Sequence, residues 1–209
     1  FEQVLLFLML KRGTGFLTVE RGPAKRRFSF IDGAAVELEL PPADDDFGHY
    51  LASRNLVTTG ELREYEARRE KAGPDPRDLF IKMGCLTPHR FQDENRNFLH
   101  DRMIECFSWR SGSVLFEWGP SVASTIPAAG AFMPSLFYQG FRAHLPPDRR
   151  NAFLKEKGNL YARKTTEFYE YQNHLADDFP GSTLFDLING LSTCSGIVST
   201  FDTDDAAVA

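Results

Sequence analysis

The sequence predicts an α+β fold in which an antiparallel β-meander is closed by a later strand, carries packed helical hairpins, and is followed by a mainly helical C-terminal region. Three observations carry that prediction. Apolar and polar residues alternate between tight-turn signals over residues 16–40, the period lengthens to a helical one from Asp44, and one further strand pattern returns at Ser113–Trp118.

The opening run from Phe1 to about Lys11 is almost wholly apolar, yet too short to cross a bilayer, which takes ~20 residues. Lys11-Arg12 follow where a signal-peptide cleavage site would need small residues, so the run reads as a buried helix. Gly13-Thr14-Gly15 stops it. A phosphate-binding loop would need a strand before this turn and Lys-Ser/Thr after it, and here a helix precedes and a strand follows. Phe16–Glu20 and Arg27–Ile31 read as strands separated by the turn Arg21-Gly22-Pro23-Ala24. Asp32-Gly33 is a type I′ hairpin signal, leading to a third strand, Ala35–Leu40, closed by Pro41-Pro42.

Asp44-Asp45-Asp46 puts negative charge at a helix start, with Phe47, Tyr50 and Leu51 on one face. Magnesium clusters of receiver domains draw their carboxylates from separate strand ends, so a solvated cap is the better reading. Thr58-Thr59-Gly60-Glu61 has the capping-box spacing and opens a helix running to about Lys71, with Glu64 and Arg68 placed for an i,i+4 pair. The segment Asn55–Leu62 then recurs as Gly84–Phe91, each pair of residues 29 positions apart. In the second copy Pro88 falls at the first helical position, where its missing N–H removes no helical bond. The helix it opens, Thr87 to about Trp109, aligns Phe91, Phe98, Met103, Cys106 and Phe107. Ser111-Gly112 ends it before the strand Ser113–Trp118.

Beyond Pro120 the character shifts, and the chain reads as two parts, 1–119 and a mainly helical extension over 120–209. Helices are expected at Pro134–Leu145, Asp148–Lys157, Lys164–Leu175 and from Ser182 onward, with a short strand at Asn159–Ala162. The start without methionine and the final small-residue run read as a fragment, its last part a truncated second module.

Composition narrows the function classes. Twenty-nine acidic against 24 basic residues leave a formal net charge of -5, which disfavours nucleic acid and anionic lipid as partners. Cys85, Cys106 and Cys194 are odd in number, far apart and set in apolar stretches, as reduced thiols of a cytoplasmic protein would be. The five histidines show no metal-ligand spacing, there is no CxxC or G-x-S-x-G, and no nucleophile, base and orienting group share a motif. No catalytic residue, metal or cofactor is expected.

Three ordered signatures resemble the PATAN domain, a bacterial signalling module found with receiver and other two-component domains. They are Arg12-Gly13-Thr14-Gly15-Phe16-Leu17, Phe28-Ser29-Phe30-Ile31-Asp32-Gly33, and Phe107-Ser108-Trp109-Arg110-Ser111-Gly112-Ser113-Val114-Leu115-Phe116. Together they cover about residues 1–119. The resemblance implies a non-catalytic adaptor or input domain tied to surface motility, polarity or type IV pilus motors. Its partners would be a receiver domain, a small GTPase or a motor protein, with self-association alongside. The two hairpin copies are also similar to the amino-terminal domains of type II secretion and pilus ATPases, some of which bind cyclic di-GMP through Arg-Leu-Gly. Here Asp46-Phe47-Gly48 stands in the first copy and Arg77-Asp78-Leu79 in the second, so a cyclic-dinucleotide sensor is the alternative reading.

Two regions are candidate contact surfaces. Phe132, Met133, Leu136, Phe137, Tyr138 and Phe141 crowd more aromatic and apolar surface into ten residues than one short helix face buries. The other reading is that this segment is core bridging the two halves. Lys25, Arg26 and Arg27, with Arg21, form a basic hairpin tip fit for an acidic patch, or an edge strand guarded by charge; alternation sends Arg26 and Phe28 to one face and Arg27 to the other.

Overall fold

The computed structural model describes residues 1–41, 46–69, 76–119, 133–166, 168–169 and 184–207, and the chain divides into two compact units, Phe1–Leu136 and Phe137–Ala209. The first unit begins with α1 (Glu2–Leu10), followed by strands β1 (Gly15–Arg21), β2 (Ala24–Ile31) and β3 (Ala34–Glu39). Next come helices α2 (Phe47–Ser53) and α3 (Thr59–Arg69), a 3-10 turn at Pro76–Asp78, and helices α4 (Leu79–Lys82) and α5 (Pro88–Cys106). Strand β4 (Ser113–Trp118) completes an antiparallel sheet of order β3-β2-β1-β4.

Register decides which side chains share a face. Leu17 pairs with both Phe28 and Phe116, and Phe28 with Leu38, so these four point the same way. That face is the core. Leu17, Phe28 and Phe30 are fully buried there, and the helices supply Leu5 and Leu8 of α1 and Phe98, Met103 and Cys106 of α5. Each such aliphatic or aromatic side chain contributes about 1.5–3 kcal/mol on burial. The neighbouring register, Thr18 with Arg27 and Leu115, and Arg27 with Glu39, forms the opposite, largely charged face.

The hairpin turn takes the backbone its sequence signals, with φ of 53° at Asp32 and 84° at Gly33. It also docks on the α1–β1 connection, since Asp32 N–H donates to Thr14 Oγ1 (3.0 Å) and Gly33 N–H to the Gly13 carbonyl (2.9 Å).

The 29-residue repeat is structural. Asn55 and Gly84 occupy equivalent positions after α2 and α4, both with positive φ (57° and 75°). One residue further on, Leu56 N–H reaches the Leu51 carbonyl and Cys85 N–H the Phe80 carbonyl, the long bond that closes a helix C-terminus. Thr58 and Thr87 then cap α3 and α5: their Oγ1 atoms accept from Glu61 N–H and Arg90 N–H, each at 3.2 Å. In the first copy Glu61 returns the bond to Thr58 N–H (2.7 Å), completing the capping box. Equivalent Leu51 and Phe80 are both fully buried, as are Val57 and Leu86 nearly so. Around Phe47 the rings of Tyr50, Phe80, Phe91 and Phe98 gather within 5.2–6.0 Å.

Helix α6 (Met133–His144) runs across the point where the chain divides. The second unit adds α7 (Pro147–Lys157) and strand β5 (Tyr161–Arg163), antiparallel to β6 (Asn189–Thr193). The helix expected from Ser182 is only a turn, Leu184–Leu187, before β6 intervenes and a final helix occupies Cys194–Ala207. Asn189 explains the break, because its Oδ1 accepts from Leu191 and Ser192 N–H (2.8 and 3.2 Å) and Gly190 follows at φ 81°. Thr193 restarts a helix by capping Gly196 N–H at 3.1 Å. Most of the helix expected at Lys164–Leu175 lies outside the described residues.

Candidate interaction surface

Strand β4 owes its place to Gly15. At φ 151° that residue has left the region open to side chains, and a Cβ there would lie 2.1 Å from the Glu117 carbonyl oxygen. Only glycine lets β4 close on β1, which gives the Gly13-Thr14-Gly15 signal a role beyond stopping α1.

The strand so placed is an edge with apolar side chains in solvent. Leu115 is 59% exposed and Trp118 62%, with Val114 at 37%, and β4 carries no Lys, Pro or bulge to guard it. Helix α1 continues the patch on the core side of the sheet. Leu5 and Leu8 face inward, whereas Leu6, Phe7 and Leu10, spaced i, i+1 and i+4, stand 45–60% exposed. The Phe7 ring meets Trp118 edge-on at 6.5 Å, and Trp118 meets Phe116 at 5.0 Å, so helix and strand share one apolar surface. Sequence reasoning missed it, because an all-apolar helix and an alternating strand both read as core. The signal was present in Leu6-Phe7 and Leu10 lying opposite Leu5 and Leu8 on the helical wheel.

The basic hairpin tip is taken apart by its own register. Arg26 turns inward: Nη1 donates to the Arg102 carbonyl (2.8 Å), Nη2 to Glu105 Oε2 (2.8 Å), and the guanidinium lies 4.9 Å from the Trp109 ring centre. Arg102 donates to the same Glu105 oxygen at 2.9 Å and pairs with Asp46. Partial burial raises the Glu105 carboxyl, but Arg26 and Arg102 outweigh it and hold the group below the usual carboxylate range. Arg27 lies on the other face, 4.0 Å above the Phe16 ring and paired with Glu39 and Glu117. Lys25 pairs with Glu20 at 2.8 Å. A cleft of about 250 Å³ opens beside this network, lined by Lys25, Arg26, Asp46, Arg102 and Glu105.

In α6 the six candidate residues separate. Met133 and Leu136 are buried (4% and 0% exposed), Phe137 and Tyr138 are half-buried, and Phe141 is 37% exposed and stacked on Phe137 at 6.2 Å. Phe132 lies outside the described residues.

Arg77, the cation a cyclic dinucleotide would need, is 9% exposed. It donates to the Leu38 carbonyl and to Asn95 Oδ1, each at 3.1 Å, and lies 5.7 Å from both the Phe47 and Phe98 ring centres. Its work is to tie β3 to α5. Burial pushes the Cys106 thiol up to about 11 despite Arg26, so it rests as an inert thiol. Among the described residues no three His, Cys, Asp or Glu gather as metal ligands, and no helix is long and apolar enough to cross a membrane.

Comparison with protein-family models, with curated proteins and with solved structures gives no match.

Proposed function

We propose that the chain is a non-catalytic protein-interaction domain that docks protein on the α1–β4 surface, serving as a cytoplasmic adaptor in bacterial signalling. The observation that carries this reading is the continuous apolar surface of Leu6, Phe7, Leu10 and Trp118, exposed on the core side of the sheet. Aromatic and aliphatic anchors of this kind are what binding hot spots are made of. The PATAN-like order of signatures suggests the setting: control of surface motility, polarity or a type IV pilus motor.

Purified receiver domains, small GTPases and pilus motor ATPases, each titrated against the immobilised chain, test the reading. One of them is expected to bind, and the double substitution Phe7→Glu, Leu10→Glu to weaken it at least tenfold, as loss of two central apolar anchors does. Binding that survives the double substitution, or a panel without a binder, overturns it. The cyclic-dinucleotide alternative finds no support in Arg77, whose guanidinium is already committed to Leu38 and Asn95.

A further inference from the structure

Beginning from the reading that α1 and β4 form a docking surface, on which this step rests, the backbone of β4 says what kind of protein fits. Gly119 N–H donates to the Thr14 carbonyl, and the Glu117 carbonyl faces Gly15, so in the ladder the odd-numbered β4 residues turn their backbone groups toward β1. Val114, Phe116 and Trp118 therefore present N–H and C=O to the open edge. Only another strand satisfies such a row.

We infer that the strand is β4 of a second copy, paired antiparallel about a two-fold axis at Phe116. In that register Phe116 faces Phe116 of the other copy, and Val114 and Trp118 face each other. All three outward residues of each copy then make their bonds. On the opposite face of the sheet Leu115 meets Glu117, so no like charges oppose, whereas a two-fold centred on Glu117 would set carboxylate against carboxylate. An extended peptide would also satisfy the edge but would leave α1 bare. A second copy brings its own Leu6, Phe7 and Leu10 to the same side of the joined sheet, since both helices lie on the core face. An isologous contact of this kind closes on itself and stops at two.

The register yields a test that a generic apolar contact would fail. Sedimentation equilibrium on the whole chain should give twice 23.7 kDa at micromolar concentration. Leu115→Asp places an acid opposite Glu117 twice per dimer and should weaken association roughly tenfold or more, while Leu115→Lys faces the same Glu117 with a cation and should leave it intact or tighter. Circular dichroism checks that both variants fold. A monomeric wild-type chain overturns the inference and leaves the docking of a different protein to stand on its own titration. A dimer that Asp and Lys weaken alike, or that neither touches, overturns the β4 register.

Discussion

The hairpin side of the first unit and its α1–β4 side meet solvent in opposite ways. On the hairpin side every apolar stripe is turned inward and the outer surface is laced with ion pairs. Glu64 pairs with Arg68, Arg96 with Asp93, and the buried Glu94 is held by Arg54 and Arg90 at 3.2 and 2.9 Å. On the other side α1 is apolar on both its faces and β4 is an unguarded edge. The contrast separates a surface finished against water from one left apolar: amphipathicity is complete on the hairpins and incomplete at α1 and β4.

Substitutions can break that contrast in graded steps. The largest effect belongs to the hairpin core. Phe47→Ala removes the ring on which Tyr50, Phe80, Phe91 and Phe98 converge and should cost about 3–5 kcal/mol by urea denaturation. A loss under 1 kcal/mol would mean the two sides do not differ in how their apolar residues are used.

Arg26→Met, at the join between sheet and α5, should cost about 1–3 kcal/mol at neutral pH through its bonds to Glu105 and the Arg102 carbonyl. Its pH dependence has a definite sign. Glu105 is held below its unfolded value, so its share of stability is full above that value, about 4.3, and disappears as pH falls through the depressed folded one. The difference between wild type and variant should therefore narrow in acid, down to the share held by the Arg102 carbonyl. A constant difference down to the acid transition would remove Glu105 as the partner that matters.

The smallest effect on stability is expected where the effect on association is greatest. Leu10→Gln, at 60% exposed, should shift the unfolding free energy by less than about 0.5 kcal/mol. Measured by sedimentation, the same variant should dissociate more readily than wild type. Equal destabilisation of fold and association would place Leu10 in the core rather than at a contact.

How far each feature could be read from sequence follows the distance over which it is determined. The Asp32-Gly33 turn, the Thr58–Glu61 box and the Thr87-Pro88 helix start are settled within four residues, and local chemistry predicts them with their caps. The repeat was legible for the same reason, since Asn55 and Gly84 need only supply a left-handed backbone and the threonines only an oxygen. Arg26 was different. Its partner Glu105 lies 79 positions away, and a tip of three cations says nothing of a carboxylate waiting on another helix. The α1–β4 surface was harder still, because hydrophobic pattern reports what avoids water and is silent on whether the fold or a partner provides the shelter.

The pairing of β1 with β4 also sets a timetable for synthesis. Glu20 and Ser113 are register partners 93 positions apart. At ribosomal rates of about 5–20 residues per second, β1 is made roughly 5–20 s before its neighbour exists. During that interval the nascent three-stranded ribbon has its open side on β1 rather than on β4, bordered by Phe16, Thr18 and Gly15. Gly15 then stands ready for the late strand, with no Cβ in the place the Glu117 carbonyl will take.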